Sequence, residues 1–225
     1  MNYSISQIAD ILKLPQPIFP AMEINTLLTD SRSLTYPEQS LFFALRTRNN
    51  DGHKYLQGVY GKGVRNFVVE HVPEAMQSIN DANFLVVPNV KLALQAIARH
   101  HRQLFTVPVV GITGSRGKTT VKEWLNQLLQ DDFNIVRSPR SYNSQIGVPL
   151  SVWGMDRDTQ FAIFEAGISQ VDEMPTLQSM IRPNLGIITN IGDEHNDGFS
   201  SRKNKCEEKI ALFRDCDCII YNGDD

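Results

Sequence analysis

Hydrophobic positions along this chain change rhythm several times. Ile5, Ile8, Ala9, Ile11 and Leu12 recur at helical spacing and predict an opening helix. Short apolar runs then predict buried strands at 41–45 (Leu-Phe-Phe-Ala-Leu), 67–69 (Phe-Val-Val) and 84–87 (Phe-Leu-Val-Val). From Val90 to Leu104 the pattern is helical again, and Thr106-Val107-Pro108 reads as a junction. Beyond it a strand-loop-helix rhythm sets in, the mark of a mostly parallel sheet. Strands are expected at 109–113, 161–165, 185–190 and 218–221. The fold expected is therefore α/β: a small unit over 1–105, then a P-loop type, mostly parallel-sheet domain over 106–225.

Each strand of the second part runs into polar or glycine-containing text. These segments are Gly114-Ser115-Arg116-Gly117, Glu165-Ala166-Gly167, Asn190-Ile191-Gly192-Asp193 and Asn222-Gly223-Asp224. Ligands of open α/β sheets sit beyond the carboxyl ends of the strands, so the chemical residues fall where this architecture expects a site.

Composition narrows the classes without choosing among them. The chain has 225 residues, 41% hydrophobic and 21% charged, with a net charge of -3, which is ordinary globular usage. A pI near 6.0 gives no reason to expect nucleic acid or an anionic membrane as main partner, although a local basic loop can still hold phosphate. No apolar run approaches the roughly 18–20 residues that cross a bilayer. The opening residues lack the basic and apolar regions of a signal peptide. Cys206, Cys216 and Cys218 form neither a CxxC pair nor an even set, so free thiols in a reducing cytoplasm are expected. His100 and His101 have no carboxylate or cysteine at ligand spacing and read as surface or packing residues.

The strongest chemical signal spans Val109 to Thr120. A β-branched strand enters a glycine loop, and a helix follows with Val121, Trp124, Leu125, Leu128 and Leu129 on one face. Glycines let backbone N–H groups converge on phosphate oxygens, and a helix N-terminus adds partial positive charge. Gly114, Ser115, Arg116, Gly117, Lys118, Thr119 and Thr120 are thus candidates for ATP binding. Lys118 would meet the terminal phosphates and the Thr119 hydroxyl a Mg²⁺ ion. Lys122 is expected to point along the helix and to matter little for the nucleotide. The general P-loop places glycine at position 112, where this chain has Ile112; its own pattern is Thr-Gly-x-x-Gly-Lys-Thr. A glycine turn that merely caps a helix is the bland alternative. Strand, loop, Lys-Thr pair and amphipathic helix together argue against it.

That shortened loop resembles the one in the Mur ligases and their folylpolyglutamate synthetase relatives, and further segments match in order. Asn143-Ser144-Gln145-Ile146-Gly147-Val148-Pro149-Leu150 is similar to the family's asparagine-glycine-proline segment. Ile163-Phe164-Glu165-Ala166-Gly167 resembles its Mg²⁺-binding strand, Thr189-Asn190-Ile191 with His195 its metal-histidine loop, and Lys209-Ile210-Ala211-Leu212-Phe213 the segment of its carbamylated lysine. The resemblance implies ATP and Mg²⁺ as cofactors, with Lys118, Glu165, His195 and Lys209 catalytic. It implies Thr119, Glu165, His195 and an N-carbamylated Lys209 around the metal, and Asn143 and Asn190 beside the nucleotide. Taken singly, Glu165 reads as a solvated strand end, His195 as a loop residue, and Lys209 as part of a solvated helix face with Lys203, Lys205, Glu207 and Glu208.

In the first part, Thr29-Asp30-Ser31-Arg32, Ser40 to Leu45 and Asp51-Gly52-His53 resemble the family's UDP-binding domain. Ser31 and Arg32 would then meet the UDP moiety through hydroxyl and guanidinium donors. Arg46-Thr47-Arg48 departs from the glycine that the family often places there.

Val121-Lys122-Glu123 and the Ile146–Leu150 run resemble the family's D-alanyl-D-alanine-adding members more than its diaminopimelate- or lysine-adding ones. The activity implied is ATP-dependent ligation of D-alanyl-D-alanine to a UDP-N-acetylmuramoyl peptide in the cytoplasm, without nucleic acid or membrane insertion. Residues 141–145 and 165–170 resemble members fused ahead of an alanine racemase. The chain is expected to lack the rest of the central domain and the C-terminal domain, leaving an apolar sheet edge at 218–221. The competing readings are another Mur-type ligase and a non-catalytic fragment that holds UDP-sugar or ATP.

Overall fold

The computed structural model describes residues 1–47, 49–192 and 198–223. The chain divides into two compact units, Met1–Ile97 and Ala98–Asp225.

In the first unit, helix α1 (Ile5–Ile11) starts at a capping box: Ser4 Oγ accepts from the Gln7 N–H, and Gln7 Oε1 accepts from the Ser4 N–H. Strands β1 (Tyr3–Ser4) and β2 (Glu23–Ile24) form a small antiparallel pair. Four parallel strands, β3 (Thr26–Leu28), β4 (Ser40–Phe43), β5 (Asn66–Val69) and β6 (Asn83–Val86), lie side by side in chain order. Helix α2 (Leu56–Gly61) falls between β4 and β5, and α3 (Val90–Arg102) follows β6, its residues from Ala98 onward counting with the second unit. Phe67 lies at the heart of this core, edge-on to Phe42 at 6.4 Å and stacked on Phe84 at 5.2 Å. Burying an aromatic of this size contributes about 1.5–3 kcal/mol.

The second unit holds β7 (Val109–Thr113), α4 (Lys118–Leu129), β8 (Ile135–Arg137), α5 (Gly147–Trp153) and β9 (Phe161–Glu165). These are followed by α6 (Met174–Ile181), β10 (Leu185–Ile188), α7 (Arg202–Ile210) and β11 (Cys218–Ile220). The sheet is parallel throughout, in the order β11-β10-β7-β9-β8. After β7 the chain builds to one side through β8 and β9, then crosses to the other for β10. That reversal opens a crevice beyond the carboxyl end of β7. β11 forms the sheet edge, with Ile219, Ile220 and Tyr221 exposed, as the apolar text there implies.

His101 is a packing residue: it is buried against Trp153 and Phe105, with Nε2 2.9 Å from the Met155 carbonyl. The buried Arg102 guanidinium donates to the carbonyls of Phe105, Ile181 and Arg182, closing the carboxyl end of α6. All three cysteines are free. Among the described residues, no helix is long and apolar enough to cross a membrane.

Helix α4 corrects the sequence reading. Trp124 and Leu128, expected on its apolar face, are 63% and 76% exposed. The helix buries Lys122 and Asn126 instead, with Val121 and Leu125 half-buried beside them. Lys122 turns into the protein, where a charged partner awaits it.

Candidate active site

The loop after β7 takes its shape from two glycines with positive φ, Gly114 at 138° and Gly117 at 83°. A Cβ on Gly114 would stand 2.0 Å from Thr189 Oγ1, so no larger residue fits this backbone. The loop is clamped by the segment that follows β10. Asn190 accepts the Ser115 N–H on its carbonyl and the Arg116 N–H on Oδ1, both at 2.9 Å. Thr189 Oγ1 donates to the Arg116 carbonyl at 2.6 Å, and Ser115 Oγ accepts the Gly192 N–H at 2.9 Å. Helix α4 starts at Lys118, and its first backbone bond runs from Val121 N–H to the Gly117 carbonyl. The N–H groups of the preceding turn have no intrahelical acceptor and suit an anion.

Three lysines end on the carbonyls around this loop. Lys118 Nζ donates to Gly114 and Ser115 at 2.8 and 3.0 Å, the buried Lys209 Nζ to Gly114 at 3.2 Å, and the buried Lys205 Nζ to Gly192 at 2.6 Å. Lys205 and Lys209 lie one turn apart on α7, whose N-terminus is capped by Ser201. Sequence reasoning placed Lys205 on a solvated face. Its helical spacing from Lys209 was the signal that pairs them.

Thr119 Oγ1 donates to Glu165 Oε2 at 3.1 Å, joining the helix start to the end of β9. The other oxygen of this fully buried carboxylate, Oε1, makes no hydrogen bond but lies 3.0 Å from Lys122 Nζ. A hydroxyl beside one carboxylate fits a Mg²⁺ ion that takes its remaining ligands from phosphate and water. Among the described residues, no group of three His, Cys, Asp or Glu gathers as a self-sufficient metal site. His195 lies outside the described residues.

Asn143 stands next to this cluster: its carbonyl accepts the Gly167 N–H at 2.8 Å, two residues beyond Glu165. Thr120 is exposed on the first turn of α4.

Ser31 and Arg32 belong to the first unit, just beyond the carboxyl end of β3. Arg32 is exposed and paired with Asp30 at 2.6 Å, and its hydrogen bonds hold the Asp30 carboxyl down at about 2. The Asp51-Gly52-His53 motif is knit into the framework. A Cβ on Gly52 would lie 2.7 Å from the Ala44 backbone. His53 Nε2 accepts the Glu70 N–H at 3.1 Å, which leaves Nδ1 to donate to Asp51 at 2.7 Å.

The stretch that carries the loop, the helix start and the carboxylate that faces it falls within a match to one protein family. The Mur ligase middle domain matches residues 112–225. The chain belongs to the Mur ligase family. Among the family's curated members, the UDP-N-acetylmuramoyl-tripeptide--D-alanyl-D-alanine ligase of Bacillus subtilis is 30% identical over 99% of this chain and 49% of its own length. The Synechocystis ligase of the same name is 36% identical over 85% of this chain and 41% of its own. A crystal structure of MurF from Acinetobacter baumannii superposes with a TM-score of 0.84 at 26% identity, covering 96% of this chain and 47% of that one. MurF ligase from Thermotoga maritima, solved in complex with ADP, shares the fold at a TM-score of 0.76 and 24% identity over 89% of this chain and 46% of that one. The chain thus spans about half the length of the Mur ligases it matches.

Proposed function

We propose that this chain supplies the ATP-binding part and the UDP-substrate-binding part of a ligase that joins D-alanyl-D-alanine to UDP-N-acetylmuramoyl-tripeptide in the cytoplasm. The observation that carries the reading is the Thr119–Glu165 contact at 3.1 Å, set at the mouth of a glycine loop beside Lys118. The names of the relatives support this substrate pair over that of other Mur ligases. Residues 106–225 are assigned to ATP and residues 1–105 to the UDP-linked substrate, with the half-buried Ser31 and the exposed Arg32 as its contacts.

In this reaction the substrate carboxylate attacks the γ-phosphorus of ATP, ADP leaves, and an acyl phosphate forms. The amine of the dipeptide then attacks the acyl carbon, and inorganic phosphate departs as the amide forms. Transfer of this kind depends on positioning and on neutralising charge. Lys118 would exchange its loop carbonyls for phosphate oxygens, while the N–H groups of the first turn of α4 hold the phosphates. A Mg²⁺ ion, held by Thr119 Oγ1, Glu165 and, as the family resemblance implies, His195, would supply further neutralisation. Asn190 fixes the loop by holding the Ser115 and Arg116 N–H groups. Asn143 lies along the loop that borders Glu165, beside the nucleotide.

Lys209 would take part as its carbamate: the ammonium gives up one proton, the neutral amine adds CO₂ and a second proton leaves, so that a cation becomes an anion. The bond from Lys209 Nζ to the Gly114 carbonyl would then be given up, and the carbamate would supply anionic oxygen in its place.

The test is to incubate the full-length protein with ATP, Mg²⁺, UDP-muramoyl-tripeptide and D-alanyl-D-alanine. Mass spectrometry should find UDP-muramoyl-pentapeptide, ADP and phosphate in equal amounts. ATP hydrolysis without the pentapeptide, or ligation of a single amino acid in its place, would refute this assignment.

A further inference from the structure

Lys122 is the most enclosed cation in the described part of the second unit, and the reaction outlined above makes no use of it. Its side chain is fully buried, on the face of α4 that looks toward β8 and β9. The ammonium has four oxygen neighbours from three places in the chain. It donates to the Ser138 carbonyl at 2.8 Å and to the Arg140 carbonyl, and it lies 3.0 Å from Glu165 Oε1 and 3.1 Å from Glu123 Oε1. Ser138 closes the circle by accepting the Glu165 N–H on Oγ at 3.1 Å. Arg140 holds a positive φ of 50°, so the turn that supplies these carbonyls is an unusual one.

A carboxylate at the end of a strand can rotate about its last torsion. Here one oxygen is taken by Lys122, which leaves Oε2 on the side of Thr119 Oγ1. We infer that Lys122 is a positioning residue for Glu165, whose buried ammonium locks the carboxylate so that Oε2 and Thr119 Oγ1 present a preformed oxygen pair to a divalent cation. The inference rests on the reading of Glu165 as a metal ligand. It also gives the turn at 138–140 a purpose, since its carbonyls satisfy the rest of the ammonium. Groups that orient a ligand in this way commonly alter metal affinity by about ten- to a hundred-fold when removed.

The experiment measures Mn²⁺ binding to the full-length protein in saturating ADP, with free Mn²⁺ read by electron paramagnetic resonance. Wild type, Glu165→Gln, Lys122→Met and the double variant form a cycle. The double variant leaves no unpaired buried charge. Lys122→Gln, which keeps a donor for the Ser138 carbonyl, replaces Lys122→Met should that chain not fold. Expected is a dissociation constant at least ten-fold higher in each single variant, and no more than two-fold further change when Lys122 is replaced in the Glu165→Gln background. Unchanged affinity in Glu165→Gln would defeat the metal reading itself. Weakened binding in Glu165→Gln with unchanged binding in Lys122→Met would defeat the positioning role alone. So would an equal loss from Lys122→Met in both backgrounds, because a merely structural residue would act without regard to Glu165.

Discussion

In the first unit the four parallel strands follow one another in chain order, whereas in the second β7 has β9 on one side and β10 on the other. Charge is handled differently in the two. Around the first sheet, Arg32 pairs with Asp30 and Arg46 with Asp51 and Glu70, through side chains that solvent reaches. In the second, Lys122, Lys205 and Lys209 are buried and end on backbone carbonyls or on Glu165. Exposed pairs contribute little to stability, but a buried ammonium is retained only where fixed oxygens meet it. The contrast teaches that strand order and buried cations go together here: the reversal at β7 makes the crevice, and the lysines hold its walls.

Activity gives the widest test of that contrast. In the full-length protein, Lys209→Ala should lower the turnover of the proposed ligation by about ten- to a hundred-fold, the range for a lost group that supports a metal site. Short carboxylates added to the buffer should restore part of it by standing in for the proposed carbamate. Wild-type turnover by Lys209→Ala in CO₂-depleted buffer would remove Lys209 from the site.

Gly114→Ala comes next. It forces a side chain into a backbone at φ 138° and against Thr189 Oγ1, which should cost about 1–3 kcal/mol in urea unfolding and weaken nucleotide binding. A variant as stable as wild type would show that the loop relaxes freely and is not clamped from β10.

Acid should separate the two units. Burial pushes the His101 imidazole down to about 4 from 6.5, so the folded second unit takes up its proton later than the unfolded chain. Its contribution is present above pH 6.5 and is lost as pH falls toward 4. Asp30, held at about 2 by Arg32 against an ordinary 3.8, contributes above pH 3.8 and loses that contribution as pH falls toward 2. Stability measured from pH 7 to 4 should therefore flatten in His101→Gln and keep its slope in Asp30→Asn. The opposite pattern would reverse the assignment. The smallest effect belongs to Arg32→Ala: a slight loss of stability at neutral pH, small because the pair with Asp30 is exposed, and weaker binding of UDP-muramoyl-tripeptide by calorimetry.

Much of this architecture was legible in the sequence, because β7, β9 and the loop after β7 write their period and their glycines plainly. What stayed hidden has physical causes. β3 and β8 are three residues long, too short to show alternation. Helices α5 and α6 are only seven and eight residues long and neither has a side-chain cap, so little in the text marks where they start. The inward face of α4 was misjudged because periodicity weighs hydrophobicity, whereas Lys122 is buried by partners on β9 and in the turn at 138–140. In the site, Lys118, Thr119, Glu165, Asn190 and Lys209 come together around the loop, while Lys205 was legible only through its four-residue spacing from Lys209.

The central claim is that the carboxyl end of β7 is a nucleotide site organised around Lys118. It is tested most directly by titrating ATP, at fixed Mg²⁺, into the full-length protein and its Lys118→Ala variant in a calorimeter. The account predicts saturable binding by the wild type and none detectable in the variant. Equal affinity in the two would contradict it.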